Sequence, residues 1–343
     1  MRSAPAPTRT LSYDETRGRG VAAYVQATHR DAYWLALAEQ RATFVDEHGR
    51  LKKELAEEAA CAVCGPVEAR FAFEKDGFPY LRCARCGTVF IGTQLREEVL
   101  DEYWSNAPVA AMWLDVLLSP AQLEFDRRKF ERALEDVERL CGAPGRVLDI
   151  GSSVGTFLDV AQRRGWTVAG VEPGERARAL SRETYGLELV PDLGVLGGEQ
   201  FDLVTFWEVV EHTKRPGELL ALAGSLVADG GVLMSLVGGN AGSIANRIMR
   251  ASSAAFDFAR LWYFTPSSYH RLLDQSGLEQ FEATGVLSEV DTAINYLRYD
   301  DPYRPSFDEP VLDEVSVAAL QRESSRPDLA YKFRSLARRR EVA

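Results

Sequence analysis

Apolar residues recur along this chain with two periods, and the change of period marks its organisation. From residue 146 onward, short apolar blocks alternate with helical stretches. Strands are predicted at 146–150, 166–171, 187–190, 202–206 and 232–237. Helices are predicted after Phe157, over 175–185 with Gly186 as the stop, over 216–227, and over 266–276 before Gly277. Two last strands, 278–286 and 293–299, read as an antiparallel hairpin at a sheet edge. Strand and helix in alternation predict an α/β fold with a mostly parallel, Rossmann-like sheet of seven strands.

Before residue 146 the period is mostly helical. Tyr33, Leu35, Leu37, Phe44, Val45, Leu51 and Leu55 give helical spacing over 22–60, broken at His48-Gly49. The stretch 92–140 also reads as helical, ending in a long amphipathic helix over 120–140 that covers the near side of the sheet. Between these lie strand patterns at 68–75 and 78–82, joined by Asp76-Gly77 as a hairpin turn. Pro79 is expected to place the second strand at an edge. Cys61-x-x-Cys64-Gly65 and Cys83-x-x-Cys86-Gly87 bracket this hairpin. Two such knuckles at this separation predict a tetrahedral four-cysteine zinc site, structural because four protein ligands leave no open position. The expected organisation is a helical segment (1–58), a zinc ribbon (59–95), connecting or lid helices (96–140), the α/β domain (141–300) and a tail (301–343). The tail reads as an appendage or a homodimer contact.

Composition narrows the partners. The chain has 343 residues, 46% of them hydrophobic, and a net charge of −11. That is enough for a large core, and the acidic balance argues against nucleic acid as partner. The first ten residues lack an apolar signal core and no 18-residue apolar run exists, so no membrane span is expected. Paired CxxC cysteines suit a reducing compartment, and a cytoplasmic location is expected.

The chemistry centres on Val147-Leu-Asp-Ile-Gly-Ser-Ser-Val-Gly155. A buried strand breaks into a glycine turn and then a helix, which is how such sheets open a nucleotide-like site. Dinucleotide enzymes accommodate a pyrophosphate with GxGxxG. The Gly151-x-x-x-Gly155 spacing here suits a cofactor without phosphates. Glu172, at the end of the second strand, can accept hydrogen bonds from ribose hydroxyls.

Together with Gly170-Val-Glu-Pro173, the run Phe201 to His212, Ala228-Asp-Gly-Gly231 and Leu261-Trp-Tyr-Phe-Thr-Pro266, this turn makes residues 61–286 resemble a class I S-adenosylmethionine-dependent methyltransferase with an N-terminal zinc ribbon. The branch includes small-molecule and carbohydrate methyltransferases, among them ubiquinone-pathway O-methyltransferases. The resemblance implies S-adenosyl-L-methionine as cofactor. It implies that Asp149, Gly151 and Gly155 border its methionine part, that Glu172 holds the ribose and that Pro173 packs near adenine. Asp192 and Leu193 are implied at the adenine amino end, and Trp207 and Glu208 on the floor near the sulfonium. Ser153 stands in this turn where the family has a third glycine. If that position needs positive φ, serine costs about 1 kcal/mol there.

Glu208-Val-Val-Glu211-His212 is the most informative polar cluster. Three readings stay open: His212 as general base toward an acceptor hydroxyl, Glu208, Glu211 and His212 as ligands of a divalent cation such as Mg2+, or a purely structural role. The stretch 238–262 is long for a connection and reads as a substrate lid, with Arg247, Arg250 and Arg260 as candidates for an anionic group. The expected activity is O-methylation of a small molecule, a saccharide or a nucleotide sugar. Sugar C-methylation, RNA methylation and non-catalytic cofactor binding are the alternatives.

Overall fold

The computed structural model describes residues 25–286, 319 and 322–340. The expected strand 293–299 and residues 1–24 lie outside them. Strands β1 (Ala56–Glu58), β2 (Ala69–Lys75), β3 (Phe78–Cys83), β4 (Val89–Ile91) and β5 (Thr93–Leu95) precede the α/β portion. Its strands are β6 (Arg146–Ile150), β7 (Thr167–Val171), β8 (Phe201–Trp207), β9 (Val227–Val237), β10 (Trp262–Tyr263), β11 (Leu278–Gly285) and β12 (Phe333–Arg339). The helices are α1 (Arg30–Ala42), α2 (Glu97–Asn106), α3 (Pro108–Leu118), α4 (Pro120–Cys141), α5 (Thr156–Arg163), α6 (Glu175–Tyr185), α7 (Pro216–Ser225), α8 (Ile244–Met249) and α9 (Pro266–Gln275).

The main sheet has the order β11-β12-β9-β8-β6-β7. β7, β6, β8 and β9 are parallel, and β12 runs antiparallel between β9 and β11. The expected strand at 187–190 is reduced to one parallel bridge, Val171 to Val190, at the β7 edge. With that bridge the sheet has the expected Rossmann-like form. Its inner strands are nearly continuous apolar runs because both faces are covered: Val147, Leu148, Leu203, Val204 and Leu233 are fully buried. Phe130 of α4 and Phe157 of α5 pack on one face, and Leu220, Leu272 and Leu273 of α7 and α9 belong to the core that continues into the ribbon.

The described part of the tail is not an appendage. Phe333, Ser335, Leu336 and Ala337 of β12 are fully buried in the middle of the antiparallel half of the sheet. The sequence disguised this strand because its arginines look solvated, whereas the fold pairs them: Arg334 with Asp136 at 2.6 Å and with Glu282 at 3.1 Å, and Arg338 with Glu279 at 3.2 Å.

Two N-terminal expectations also change, while a third holds. Asp76 and Gly77 have φ of 55° and 85° and form the expected hairpin turn between β2 and β3. β3 is nevertheless an inner strand, in the order β10-β4-β3-β2. Pro79 is tolerated because the short β4 pairs only with Tyr80, Leu81 and Arg82, and its carbonyl still accepts from Gly92 N–H at 2.8 Å. The helical pattern at Leu51 and Leu55 is instead a bridge and a 3-10 turn leading into β1, which pairs with β5. β10, from the α/β portion, is the fourth strand of the ribbon sheet, so Tyr80, Phe256 and Tyr263 share one aromatic core.

Candidate active site

The carboxyl ends of β6, β7 and β8 open into a cavity of about 2070 Å³ roofed by α1 to α4. Of the residues singled out in the sequence, Asp149, Gly151, Ser153, Glu172, Pro173, Trp207, Glu208 and His212 line it. Gly155, Asp192, Leu193 and Glu211 are not among its lining. Gly155 instead lets α5 start at φ 83°, where a Cβ would sit 2.5 Å from Ser181 Oγ. Asp192 spends its carboxylate on Gly194 N–H at 2.8 Å, capping a short 3-10 turn.

Ser153 has φ of 51°. Its N–H donates to Glu172 Oε2 at 2.9 Å, and Gly174 N–H donates to Oε1 at 2.8 Å. The strained residue therefore aims the acidic side chain. Burial pushes the Glu172 carboxyl up, and these two N–H donors pull it back. Both oxygens keep lone pairs for further donors. Ser153→Gly is expected to raise unfolding free energy by up to about 1 kcal/mol, seen as a higher denaturant midpoint. No gain would mean the turn carries no strain. Asp149 lies below the turn, fully buried, and accepts from Thr205 Oγ1 at 2.6 Å. Burial lifts its carboxyl to about 8, against that hydrogen bond.

After β8 the backbone turns sharply, with Glu208 at φ 59°. Strain of this kind, of order 1–3 kcal/mol, persists where surrounding contacts over-determine it. Here they are charges: Glu208 Oε1 accepts from Lys332 Nζ, and Oε2 from Arg260 at 3.3 Å. Burial opposes ionisation, but Lys332 and then Arg260 hold Glu208 down at about 2. Glu211 is fully buried and accepts from Gly238 N–H at 2.6 Å. Burial raises it to about 7, with Arg260 opposing. His212 Nδ1–H donates to the Ala259 carbonyl at 2.7 Å. A carbonyl can only accept, so Nε2 carries the ring's lone pair. Burial, then the Arg260 charge, lowers this imidazole to about 3. Trp104 meets the ring edge to face at 5.6 Å.

A family model described as "Methyltransferase domain" matches residues 124–283. The ubiquinone biosynthesis O-methyltransferase of Nitrobacter winogradskyi is 30% identical over 212 residues, 54% of this chain and 76% of that one. The enzyme of the same name from Dinoroseobacter shibae is 29% identical over 227 residues, 55% of this chain and 90% of that one. The chain belongs to the class I S-adenosylmethionine-dependent methyltransferases. Among solved structures, the magnesium protoporphyrin IX methyltransferase of Synechocystis PCC 6803 has 13% identity and a TM-score of 0.47, covering 71% of this chain and 100% of that one.

As a methyltransferase, the protein has a site that fits its cofactor: a glycine turn, a buried acid and the pre-aimed Glu172 face one cavity. Lys129 and Lys332 are cationic residues of the lining that escaped the sequence reading. Lys129 of α4 is anchored by Asp126 at 2.6 Å and lies over the Phe130 ring, within 5.6 Å of the Trp207 ring centroid. Lys332 arrives from the start of the hidden strand β12. Neither has a local sequence signal: Lys129 sits in a run of charged residues, and Lys332 stands alone between Tyr331 and Phe333.

The methyltransferase does not gather Glu208, Glu211 and His212 as a ligand set. Glu208 is taken by Lys332 and Arg260, and His212 Nδ1 by a carbonyl. Among the described residues, the cluster of three or more ligating side chains is Cys61, Cys64, Cys83 and Cys86. Their sulfurs lie within 4.8 Å of one another, with Cys61 and Cys86 at 3.6 Å. Tetrahedral Zn–S bonds of about 2.3 Å require sulfurs about 3.8 Å apart, so the set fits a structural zinc ion. Arg271 of α9 points at Cys64 Sγ from 3.7 Å, a cation beside a thiolate site.

The stretch 238–262 is no free lid. Lys75 Nζ donates to the Ser253 and Phe256 carbonyls at 2.7 and 2.8 Å, and Arg250 donates to the Ala72 carbonyl. These bonds clamp the stretch to the ribbon. Arg247 is exposed, and Arg260 is the member of the expected trio that lines the cavity.

Proposed function

We propose that this methyltransferase moves the methyl group of S-adenosylmethionine to a hydroxyl oxygen of a small-molecule acceptor, with His212 as general base. The observation that carries this reading is the His212 ring: its Nδ1–H is committed to the Ala259 carbonyl, and the ring that bears the remaining lone pair lines the cavity beside the glycine turn. The names of the relatives, O-methyltransferases of ubiquinone biosynthesis, point to oxygen as the methylated atom.

The bound cofactor supplies an activated methyl group on a good leaving group. Glu172 accepts from the ribose hydroxyls, and Asp149 and Gly151 border the methionine end. Lys129 lies close enough to pair with an anionic group there. Trp207 forms the floor and Glu208, fixed as an anion, holds Lys332 and Arg260 in place. Trp104 offers its face to a planar acceptor while His212 Nε2 takes the hydroxyl proton. A saccharide acceptor would use the same aromatic wall. Excluding water and aligning donor with acceptor then supply the rest of the rate.

Incubation with methyl-labelled cofactor and a panel of hydroxy-aromatic acceptors tests this proposal. The label is expected in a methoxy group. Label on ring carbon or on nitrogen overturns the hydroxyl reading.

A further inference from the structure

Four successive residues of the loop carrying His212 are hydrogen-bonded to the ribbon, to a strand paired with it, or to the residues leading into that strand. Leu261 N–H donates to the Glu211 carbonyl at 2.9 Å. His212 Nδ1–H donates to the Ala259 carbonyl at 2.7 Å. Trp262 Nε1–H donates to the Thr213 carbonyl at 2.7 Å. Lys214 Nζ donates to the Leu95 carbonyl of β5, and to Gln94 Oε1 at 3.1 Å.

The holder is itself held. Trp262 and Tyr263 form β10, paired antiparallel with Phe90 and Val89 of β4, and Ile91 N–H donates to the Leu261 carbonyl at 3.2 Å. Phe90 packs on Trp262 with ring centroids 5.8 Å apart. β4 begins three residues after Cys86 and pairs with β3, which ends at Cys83. The donor turn depends on different bonds: Gly151 and Ser152 N–H to the Val171 carbonyl at 2.8 and 3.0 Å, and Glu172 N–H to the Val190 carbonyl at 2.9 Å. Those lie wholly within residues 151–190, outside the ribbon.

We propose that the cysteine ribbon is a positioning element for the acceptor side of the site. Its closed knuckles fix β4, β4 fixes the stretch from Ala259 to Trp262, and that stretch fixes His212. Trp262 is the positioning residue at the joint. This gives the metal a local consequence: its loss releases the base while leaving the cofactor turn in place. The proposal rests on the reading of His212 as the group facing the acceptor, but its test does not use turnover, so the two can fail separately.

The full-length protein is compared with its metal intact and after extraction with a chelator, metal content being measured directly. Two quantities are read: the His212 imidazole N–H signal by NMR, assigned with His212→Ala, and S-adenosylhomocysteine affinity by calorimetry. Extraction is expected to shift or abolish the His212 signal and to change the affinity by no more than about twofold, as for sites that do not couple. Trp262→Phe keeps the ring packing and the metal but removes the bond to Thr213. It should shift the same signal, again with affinity within about twofold. An unmoved His212 signal in either protein overturns the proposal. So does joint loss of the signal and of cofactor affinity on extraction, which would make the ribbon a global folding element.

Discussion

Replacing His212 by alanine is expected to lower kcat by a factor of about 10² to 10⁴, the usual contribution of a positioned general base. Affinity for S-adenosylhomocysteine should stay within about twofold, because the donor turn shares no hydrogen bond with His212. The same geometry fixes the pH behaviour. The working form of a base is the neutral one, and burial with the Arg260 charge lowers His212 to about 3. The neutral form is therefore complete at neutral pH and is lost only as pH falls through about 3. A histidine in water would produce an acid limb near pH 6.5. The kcat profile is expected to show no limb there that disappears in His212→Ala. Full activity in the alanine variant would assign the ring a purely structural role, bracing the turn through Ala259.

Glu172→Ala acts on the other half of the site. On the proposed role of Glu172 it removes the acceptors for two ribose hydroxyls, and it leaves the Ser153 and Gly174 N–H groups without their partner. At roughly 1.5–3 kcal/mol for each hydrogen bond to a charged group, the loss is about 3 kcal/mol or more. Cofactor affinity should fall at least about a hundredfold. Glu172→Gln is expected to be nearly as damaging. The amide –NH2 must face one of two backbone donors, so a donor–donor clash replaces a hydrogen bond. Calorimetry with S-adenosylhomocysteine measures both variants. Affinity unchanged in Glu172→Ala would mean that the ribose is held elsewhere.

Much of the fold was legible because local chemistry and tertiary role agree. Val147 to Ile150 is apolar but for Asp149 since helices cover both faces of β6. Asp76-Gly77 adopts the positive φ that its hairpin demands, and Gly186 stops α6 in the left-handed region. The four cysteines announced one another by spacing alone. Legibility failed where a residue's environment is made by distant chain. Phe333 to Arg339 reads as a charged tail until Asp136, Glu282 and Glu279 arrive to pair its arginines. Trp262 and Tyr263 gave no sign that they complete the ribbon sheet, since two residues carry no period. Lys129 and Lys332 enter the cavity from a helix and a strand start far apart in sequence.

Within the cluster after β8, residue types were legible but roles were not. Spacing alone allowed Glu208, Glu211 and His212 to act together on a metal. Their partners divide them: two cations fix Glu208, the Gly238 amide takes Glu211 below the cavity floor, and a carbonyl orients His212. Ser153 shows the converse. Its departure from glycine was visible at once, but only the left-handed backbone and the bond to Glu172 reveal what the strain does.

For His212 to act as the proposed base, its Nε2 must meet the acceptor hydroxyl across from the methyl donor. A crystal structure of the complete chain with S-adenosylhomocysteine and a bound hydroxy-aromatic acceptor measures this directly. The expected result is an Nε2-to-hydroxyl oxygen distance of about 2.6–3.2 Å, or one bridging water, with that oxygen facing the cofactor sulfur. An acceptor oxygen that faces the sulfur but lies far from His212, with no water between them, would contradict it.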